Sequence, residues 1–186
     1  MTTDKMRNDA FSKYRELAVS NGVIDSELYT KYEVKRGLRD ISGKGVLAGL
    51  TEISEVRSYT MIDNDMIPCD GQLFYRGIDI KDIVDGFVQE DRYGFEETCY
   101  LLMFGKLPNE QEYREFREIL ASYMTLPDEF VRDTIMSAPS RDMMNALAKG
   151  VLTLYSYDDN PEDLSMENVL RQSIELIAMM PTIMVY

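Results

Sequence analysis

From residue 79 onward the sequence is a succession of segments whose apolar residues recur at helical spacing, separated by residues that start or stop helices. Asp79 is placed to cap a short helix that Gly86 would stop, and Ser165 is placed to cap the last helix. Because such segments make up most of the chain, the sequence predicts a mainly α-helical fold.

A small antiparallel β patch is predicted ahead of these helices. Residues 50–62 and 72–75 are rich in Thr, Val, Tyr and Phe, which favour strands. The pair Asp70-Gly71 is typical of a turn between two strands. We therefore expect a hairpin over residues 53–75, too small to organise a domain by itself.

The two residues after this patch have separate expected roles. Gly77 permits a sharp turn from strand into helix. Arg76 lies between an aromatic residue and this glycine, away from any catalytic pattern. We expect it to form a structural ion pair or to donate to backbone carbonyl groups.

The first 49 residues are predicted to be an N-terminal helix and a flexible arm, followed by a helical portion over 50–186 that is incomplete at its C-terminus. The helix is expected over 3–18, with Asn21-Gly22 as its stop. The arm is rich in glycine and holds a cluster of positive charge. The cluster comprises Lys35, Arg36, Arg39 and Lys44. Two interpretations stay open, a contact to a phosphate-bearing small molecule and a solvated charged arm.

Composition excludes several classes of function. The net charge is −13, and the acidic excess lies after residue 60, which disfavours binding to nucleic acids and anionic membranes. The chain contains no histidine, so it offers no imidazole for acid–base catalysis or zinc binding. Neither a signal peptide nor an apolar run of membrane-spanning length is present, and we expect a cytoplasmic protein.

Other candidates for chemistry in the sequence also favour structural interpretations. The carboxylate pair Asp82/Asp85 falls on a helix face beside Lys81, as solvated surface residues do. Asp63-Asn64-Asp65 lacks the later residues of a calcium loop, so no metal site is predicted. Cys99 lies on an apolar helix stripe and is expected in a core rather than as a nucleophile.

The last two helical segments, 141–157 and 165–186, are apolar on more than one face. Helices of this kind are buried on most faces, and a chain of this size buries two of them only with difficulty. We interpret them as the interface of a homodimer, with an unusually Met-rich core as the alternative. The chain also ends at Tyr186 in an apolar run without a helix stop, so we expect it to be the front portion of a longer protein.

Three blocks of sequence carry a resemblance to a known family. They read "DGQLFYRGIDIKDI", "FEETCYLLMFGKLPNEQEYREF" and "APSRDMMNALAKGVLTLYSYD". In this order and spacing they resemble the N-terminal part of the citrate synthase family, over about residues 45–186. The matching residues are Gly71, Leu73, Tyr75, Arg76, Gly77, Ile80, Phe95, Glu97, Tyr100, Leu101, Leu102, Gly105, Leu107 and Pro108.

The resemblance implies the large helical domain of the citrate synthase fold, with helices equivalent to 141–157 and 165–186 at the dimer interface. Enzymes of this family act in the tricarboxylic acid cycle and condense acetyl-CoA with oxaloacetate to citrate and free CoA, with no metal or redox cofactor. Their two catalytic histidines and an aspartate come later in the family sequence. No catalytic residue is therefore expected in this chain, and Lys35, Arg36 and Arg39 are candidates only for contact to the CoA phosphates.

One departure bears on the substrate. Many members have His-Pro-Met where this chain has Arg141-Asp142-Met143-Met144, which implies a divergent branch. The 2-methylcitrate synthases share the fold and use propionyl-CoA, so this activity stays open. A non-catalytic helical dimerisation module is the alternative from another class of function.

Overall fold

A computed structural model of the chain describes residues 3–34, 46, 48–63 and 65–186. In chain order the helices are α1 (Thr3–Asn21), α2 (Ser26–Lys31), α3 (Ile80–Gln89), α4 (Phe95–Phe104), α5 (Glu110–Tyr123), α6 (Met143–Leu154) and α7 (Met166–Val185). A π-helical turn spans Val131–Met136, and a 3₁₀ turn spans Tyr155–Tyr157. The strands are β1 (Ser54–Ile62), β2 (Asp65–Tyr75) and β3 (Ile78–Asp79). The predicted mainly helical fold with a small antiparallel sheet is confirmed.

The sheet has the order β1-β2-β3, and both pairs of neighbouring strands are antiparallel. The predicted turn at Asp70-Gly71 is wrong, because both residues lie inside β2 and the hairpin reverses between Ile62 and Asp65. Arg57 pairs with Gln72 and Tyr59 with Pro68, so the Asp-Gly pair lies in an irregular stretch of β2. The glycine therefore serves a bulge rather than a turn.

The predicted helix stop at Gly86 is also wrong. Helix α3 begins after Asp79, whose carboxylate accepts a hydrogen bond from the Lys81 N–H at 2.9 Å, as predicted, but it continues to Gln89. A side chain at Gly94 would overlap the ring of Phe87. The extra helical turn thus places Phe87 against the chain at Gly94, and this packing outweighs the low helix propensity of one glycine.

The contacts within the chain group it into two compact units, one of Met1–Glu16 with Glu110–Tyr186 and one of Leu17–Asn109. This grouping differs from the predicted division after residue 49, which stays a prediction. Among the described residues, no helix combines the length and the apolar character needed to cross a bilayer.

Each unit has its own buried aromatic residues. In the unit that holds α5 to α7, Phe130, Met179 and Ile183 form a buried cluster, and Leu147 and Leu154 of α6 pack against it. In the other unit, Tyr100 and Phe104 of α4 are buried with their ring centres 4.7 Å apart. These clusters fix α6, α7 and α4, which carry the polar groups described next.

Candidate functional site

The candidates for CoA-phosphate contact, Lys35, Arg36 and Arg39, lie outside the described residues, as does Lys44. Their assignment stays a prediction. The carboxylate pair Asp82/Asp85 is solvent-exposed on α3. Within the described part of the chain, no group of three or more Cys, Asp or Glu side chains is arranged to hold a metal ion.

Cys99 is half-buried on α4. Burial, with a smaller contribution from the nearby charge of Glu96, raises the pKa of its thiol above the ordinary value. A thiol with a raised pKa holds little thiolate at neutral pH. The local electrostatics therefore disfavour a nucleophilic role for this cysteine.

Arg76 joins the end of β2 to the ends of two helices. Its Nε and one terminal nitrogen donate to the Leu102 carbonyl at 3.2 and 2.9 Å, and the other terminal nitrogen donates to the Asn21 carbonyl at 3.5 Å. The side chain of Asn21 in turn donates to the Phe104 carbonyl at 2.6 Å. Arg76 and Asn21 thus satisfy carbonyl groups that the ends of α1 and α4 leave without helical partners. The prediction that Arg76 donates to backbone carbonyls is confirmed.

Backbone geometry directs Arg76 toward this position. Arg76 and Gly77 both have positive φ, of 49° and 82°. Two successive residues of this kind turn the chain from β2 into β3 and α3, and glycine adopts that conformation without steric cost. Gly105 ends α4 with φ 75°, and its N–H donates to the Leu101 carbonyl at 2.8 Å.

We expect Arg76→Met to lower the free energy of unfolding by roughly 1–3 kcal/mol, because it keeps the aliphatic stem but leaves the half-buried Leu102 carbonyl without its donor. Chemical denaturation followed by circular dichroism measures this change. Arg114→Met is the matched control, since the Arg114–Glu110 pair is exposed, and it should cost less than about 0.5 kcal/mol. Equal losses in the two variants would contradict the structural role.

A second polar cluster, here called the Arg171 network, lines an open cavity of about 530 Å³ beside α7. Arg171 donates to both carboxylate oxygens of Asp158 at 2.6 and 2.8 Å, to Glu175 at 2.8 Å and to the Asn168 side-chain oxygen at 3.0 Å. Gln172 adds a donor to Asp158 at 2.8 Å. The network therefore ties the segment after α6 to the first turns of α7.

The electrostatics of this network favour a structural role. Burial raises the pKa of the Asp158 carboxyl, but donors from Arg171, the Asn160 backbone and Gln172 outweigh that effect and lower it to about 2. A carboxylate ionised at every physiological pH and engaged by an arginine is a poor general acid or base. Sequence patterns did not identify this cluster, because its members are separated by up to 17 positions and belong to no local motif.

Helix α6 also carries an apolar face that its own unit leaves uncovered. This face, here called the α6 stripe, consists of Met144, Ala148 and Leu152 with Tyr155 of the following turn, and all four are exposed. Met144 and Leu152 expose 74% and 75% of their surface. Spacings of four, four and three residues place them on one side of the helix, next to the side that packs on Phe130.

Comparison with known proteins identifies the family. A family model described as "Citrate synthase, C-terminal domain" matches residues 38–186. This chain belongs to the citrate synthase family. The match includes all three blocks quoted above, so the resemblance noted in the sequence is confirmed. The matched region of this chain contains the Arg76 turn, the Arg171 network and the α6 stripe.

Individual relatives agree with this assignment. Over 133 residues the chain is 35% identical to a citrate synthase of Saccharolobus solfataricus, covering 70% of this chain and 32% of the relative. A citrate synthase of Haloferax volcanii is 32% identical over 82% of this chain and 36% of its own length. The 2-methylcitrate synthase 1 of Corynebacterium glutamicum is 28% identical over 81% of this chain and 34% of its own length. The chain thus spans about a third of the length of these curated relatives.

Proposed function

We propose that this chain is the N-terminal part of a citrate synthase, which condenses acetyl-CoA with oxaloacetate and releases citrate and CoA. The observation that carries the proposal is the family match over residues 38–186, supported by relatives named citrate synthase. In the proposed protein acetyl-CoA is a substrate, no metal or redox cofactor is needed, and the reaction belongs to the tricarboxylic acid cycle of the cytoplasm. Lys35, Arg36 and Arg39 remain candidates for contact to the CoA phosphates.

In this proposal the chain contributes scaffold rather than chemistry. Condensation requires a base for the methyl proton of acetyl-CoA and a donor for the ketone oxygen of oxaloacetate. The chain has no histidine, and the Arg171 network holds its carboxylates in ion pairs. The 186-residue chain alone is therefore expected to be inactive.

A second candidate is 2-methylcitrate synthase, which the Corynebacterium glutamicum relative of that name favours. The two candidates differ in the acyl-CoA that they use. A non-catalytic helical dimerisation module is the third candidate, favoured by the exposed α6 stripe together with the missing imidazole.

We further propose that the protein forms a homodimer through residues 141–157 and 165–186. The exposed Met144 and Leu152 lie in the first of these segments. An apolar stripe on one helix supports a two-fold contact, because the same patch can meet its own copy.

The test of the proposed function uses the product of the natural open reading frame that contains this chain. Release of free CoA is measured with oxaloacetate and either acetyl-CoA or propionyl-CoA. A higher kcat/KM with acetyl-CoA supports citrate synthase, whereas a higher kcat/KM with propionyl-CoA supports the 2-methylcitrate alternative. No release from either substrate would leave the dimerisation module as the surviving candidate and contradict the enzyme.

A further inference from the structure

The hairpin of β1 and β2 is exposed along most of its length. Val56 exposes 76% of its surface, and Ile53 and Tyr59 expose nearly half of theirs. Among the described residues, strand β1 is at the edge of the sheet and pairs only with β2. An unpaired edge strand of nine residues presents a row of free backbone groups, and an isolated hairpin is marginally stable in water.

The backbone of β1 fixes which residues face outward along this edge. The Ile53 carbonyl accepts a hydrogen bond from the Arg76 N–H at 2.9 Å, so the residue directly before β1 directs its carbonyl toward the end of β2. In an antiparallel pair such residues alternate along the strand. In the regular register from Ser54 to Arg57, Glu55 and Arg57 therefore also face β2, whereas Ser54 and Val56 face outward.

The side chains of the same stretch carry opposite charges two residues apart. Glu55 and Arg57 lie on one face of β1 and form an ion pair with each other, and Arg57 also lies over the ring of Phe74. Both charges are about half exposed. An opposite-charge pair with this spacing is self-complementary under two-fold symmetry, because a second copy presents the same two charges in reverse order.

We propose that the outer edge of β1 pairs with β1 of a second copy, antiparallel and with Val56 on the two-fold axis. In this register Val56 faces Val56 of the second copy, and its outward N–H and C=O groups make the two central hydrogen bonds. Glu55 then lies opposite Arg57 of the second copy in a non-hydrogen-bonded pair. In such pairs the Cα atoms are about 4.5 Å apart and the side chains are closest together. Ile53 lies opposite Tyr59 of the second copy, which covers two exposed apolar side chains.

The charges of Glu55 and Arg57 select this register from the neighbouring two-fold registers, all of which the backbone allows. Moving the axis to Arg57 would place two arginines directly opposite each other, and moving it to Glu55 would do the same with two glutamates. The register about Val56 avoids both like-charge contacts. The contact is small, so we expect an association that is measurable at tens of micromolar chain.

Two charge reversals test this pairing. Every protein in this test, including the parent, is the full chain with Met144→Asp and Leu152→Asp, so that the α6 stripe does not contribute. Self-association is measured by sedimentation equilibrium. Glu55→Arg alone and Arg57→Glu alone each place like charges opposite each other in both cross-strand pairs. Each should weaken self-association about tenfold or more.

An equimolar mixture of the two single variants should associate as well as the parent, because each variant then meets the opposite charge on the other. The ion pair within each strand remains broken in the mixture, so a role in stabilising the hairpin alone cannot produce this recovery. Val56→Pro removes the outward N–H on the axis without removing a hydrogen bond to β2, and it should abolish association. The matched charge reversals Glu110→Arg and Arg114→Glu on α5 should leave self-association unchanged.

Three results would overturn the proposal. They are a parent chain that stays monomeric, single variants that associate as the parent does, and a mixture that associates no better than its components.

Discussion

Replacing Arg171 by methionine is expected to lower the free energy of unfolding by about 2–3 kcal/mol. The change removes one partner of an ion pair whose Asp158 side chain is only 13% exposed. A charge left without its partner in such a place is costly, at about 3–5 kcal/mol when fully buried, and partial exposure reduces that figure. The segment after α6 would also lose its main tie to α7.

Chemical denaturation of the parent chain and of Arg171→Met measures this loss of unfolding free energy. Arg114→Met is the matched control, because it breaks an exposed pair with Glu110 within one helix and should change the free energy by less than about 0.5 kcal/mol. Similar values for Arg171→Met and the control would show that the network contributes no more than a surface ion pair.

The same network makes stability depend on pH in a defined direction. Hydrogen bonds in the folded chain lower the pKa of Asp158 from 3.8 to about 2. A carboxyl with a lowered pKa in the folded state contributes stability that is present above about pH 4 and is lost as the pH falls toward 2. The parent should therefore exceed Asp158→Asn in free energy of unfolding by more at pH 5 than at pH 2. We expect this difference to shrink by roughly 1–2 kcal/mol as the pH falls across the window, after allowance for solvent exposure. A difference in free energy of unfolding that stays constant from pH 5 to pH 2 would contradict the lowered pKa of Asp158.

In a chain that carries Val56→Pro, so that the edge of β1 does not contribute, placing aspartates at Met144 and Leu152 is expected to convert the proposed homodimer to monomer at tens of micromolar. Both side chains are exposed in the described chain, so the substitutions remove apolar contact area from the α6 stripe without opening the core. Burying two carboxylates without partners in an apolar interface costs several kcal/mol, which corresponds to a loss of affinity of more than about a hundredfold.

Light scattering on the Val56→Pro chain, with and without the two aspartates, tests the interface. Asn145→Asp with Ser156→Asp is the matched control, because it adds the same charge on the polar side of α6 and the following turn. The choice of residues matters, since Leu147 packs on the Phe130 cluster and a charge there would unfold the monomer. A Val56→Pro chain that is monomeric, or one that remains dimeric after the two aspartates are added, would show that the stripe is not the interface.

Local signals in the sequence predicted the features that depend on a few neighbouring residues. Gly77 occupies the positive-φ position expected of it, and Asp79 and Ser165 cap α3 and α7 through bonds to nearby N–H groups. Each of these roles is set by the residue's own backbone preference or by a partner two or three positions away. The position of Arg76 beside the turn predicted that it donates to backbone carbonyls. It did not predict that the acceptor is Leu102, which lies 26 residues away.

The turn of the hairpin was misplaced because the sequence offers two acidic turn signals. Asp63-Asn64 and Asp70-Gly71 both suit a reversal, and the choice between them depends on which register pairs more of β1 with β2. The Arg171 network was missed for a related reason. An arginine on a helix usually faces water, and only the folded segment after α6 brings Asp158 to it.

The most direct test of the account is the release of free CoA by the purified 186-residue chain in the presence of acetyl-CoA and oxaloacetate. Circular dichroism first establishes that the chain is folded and mainly helical. The account predicts no release above the rate without protein, because the groups that abstract the methyl proton and polarise the ketone are proposed to lie elsewhere in the parent protein. Catalytic release of CoA by the folded chain, at a rate proportional to its concentration, would contradict it.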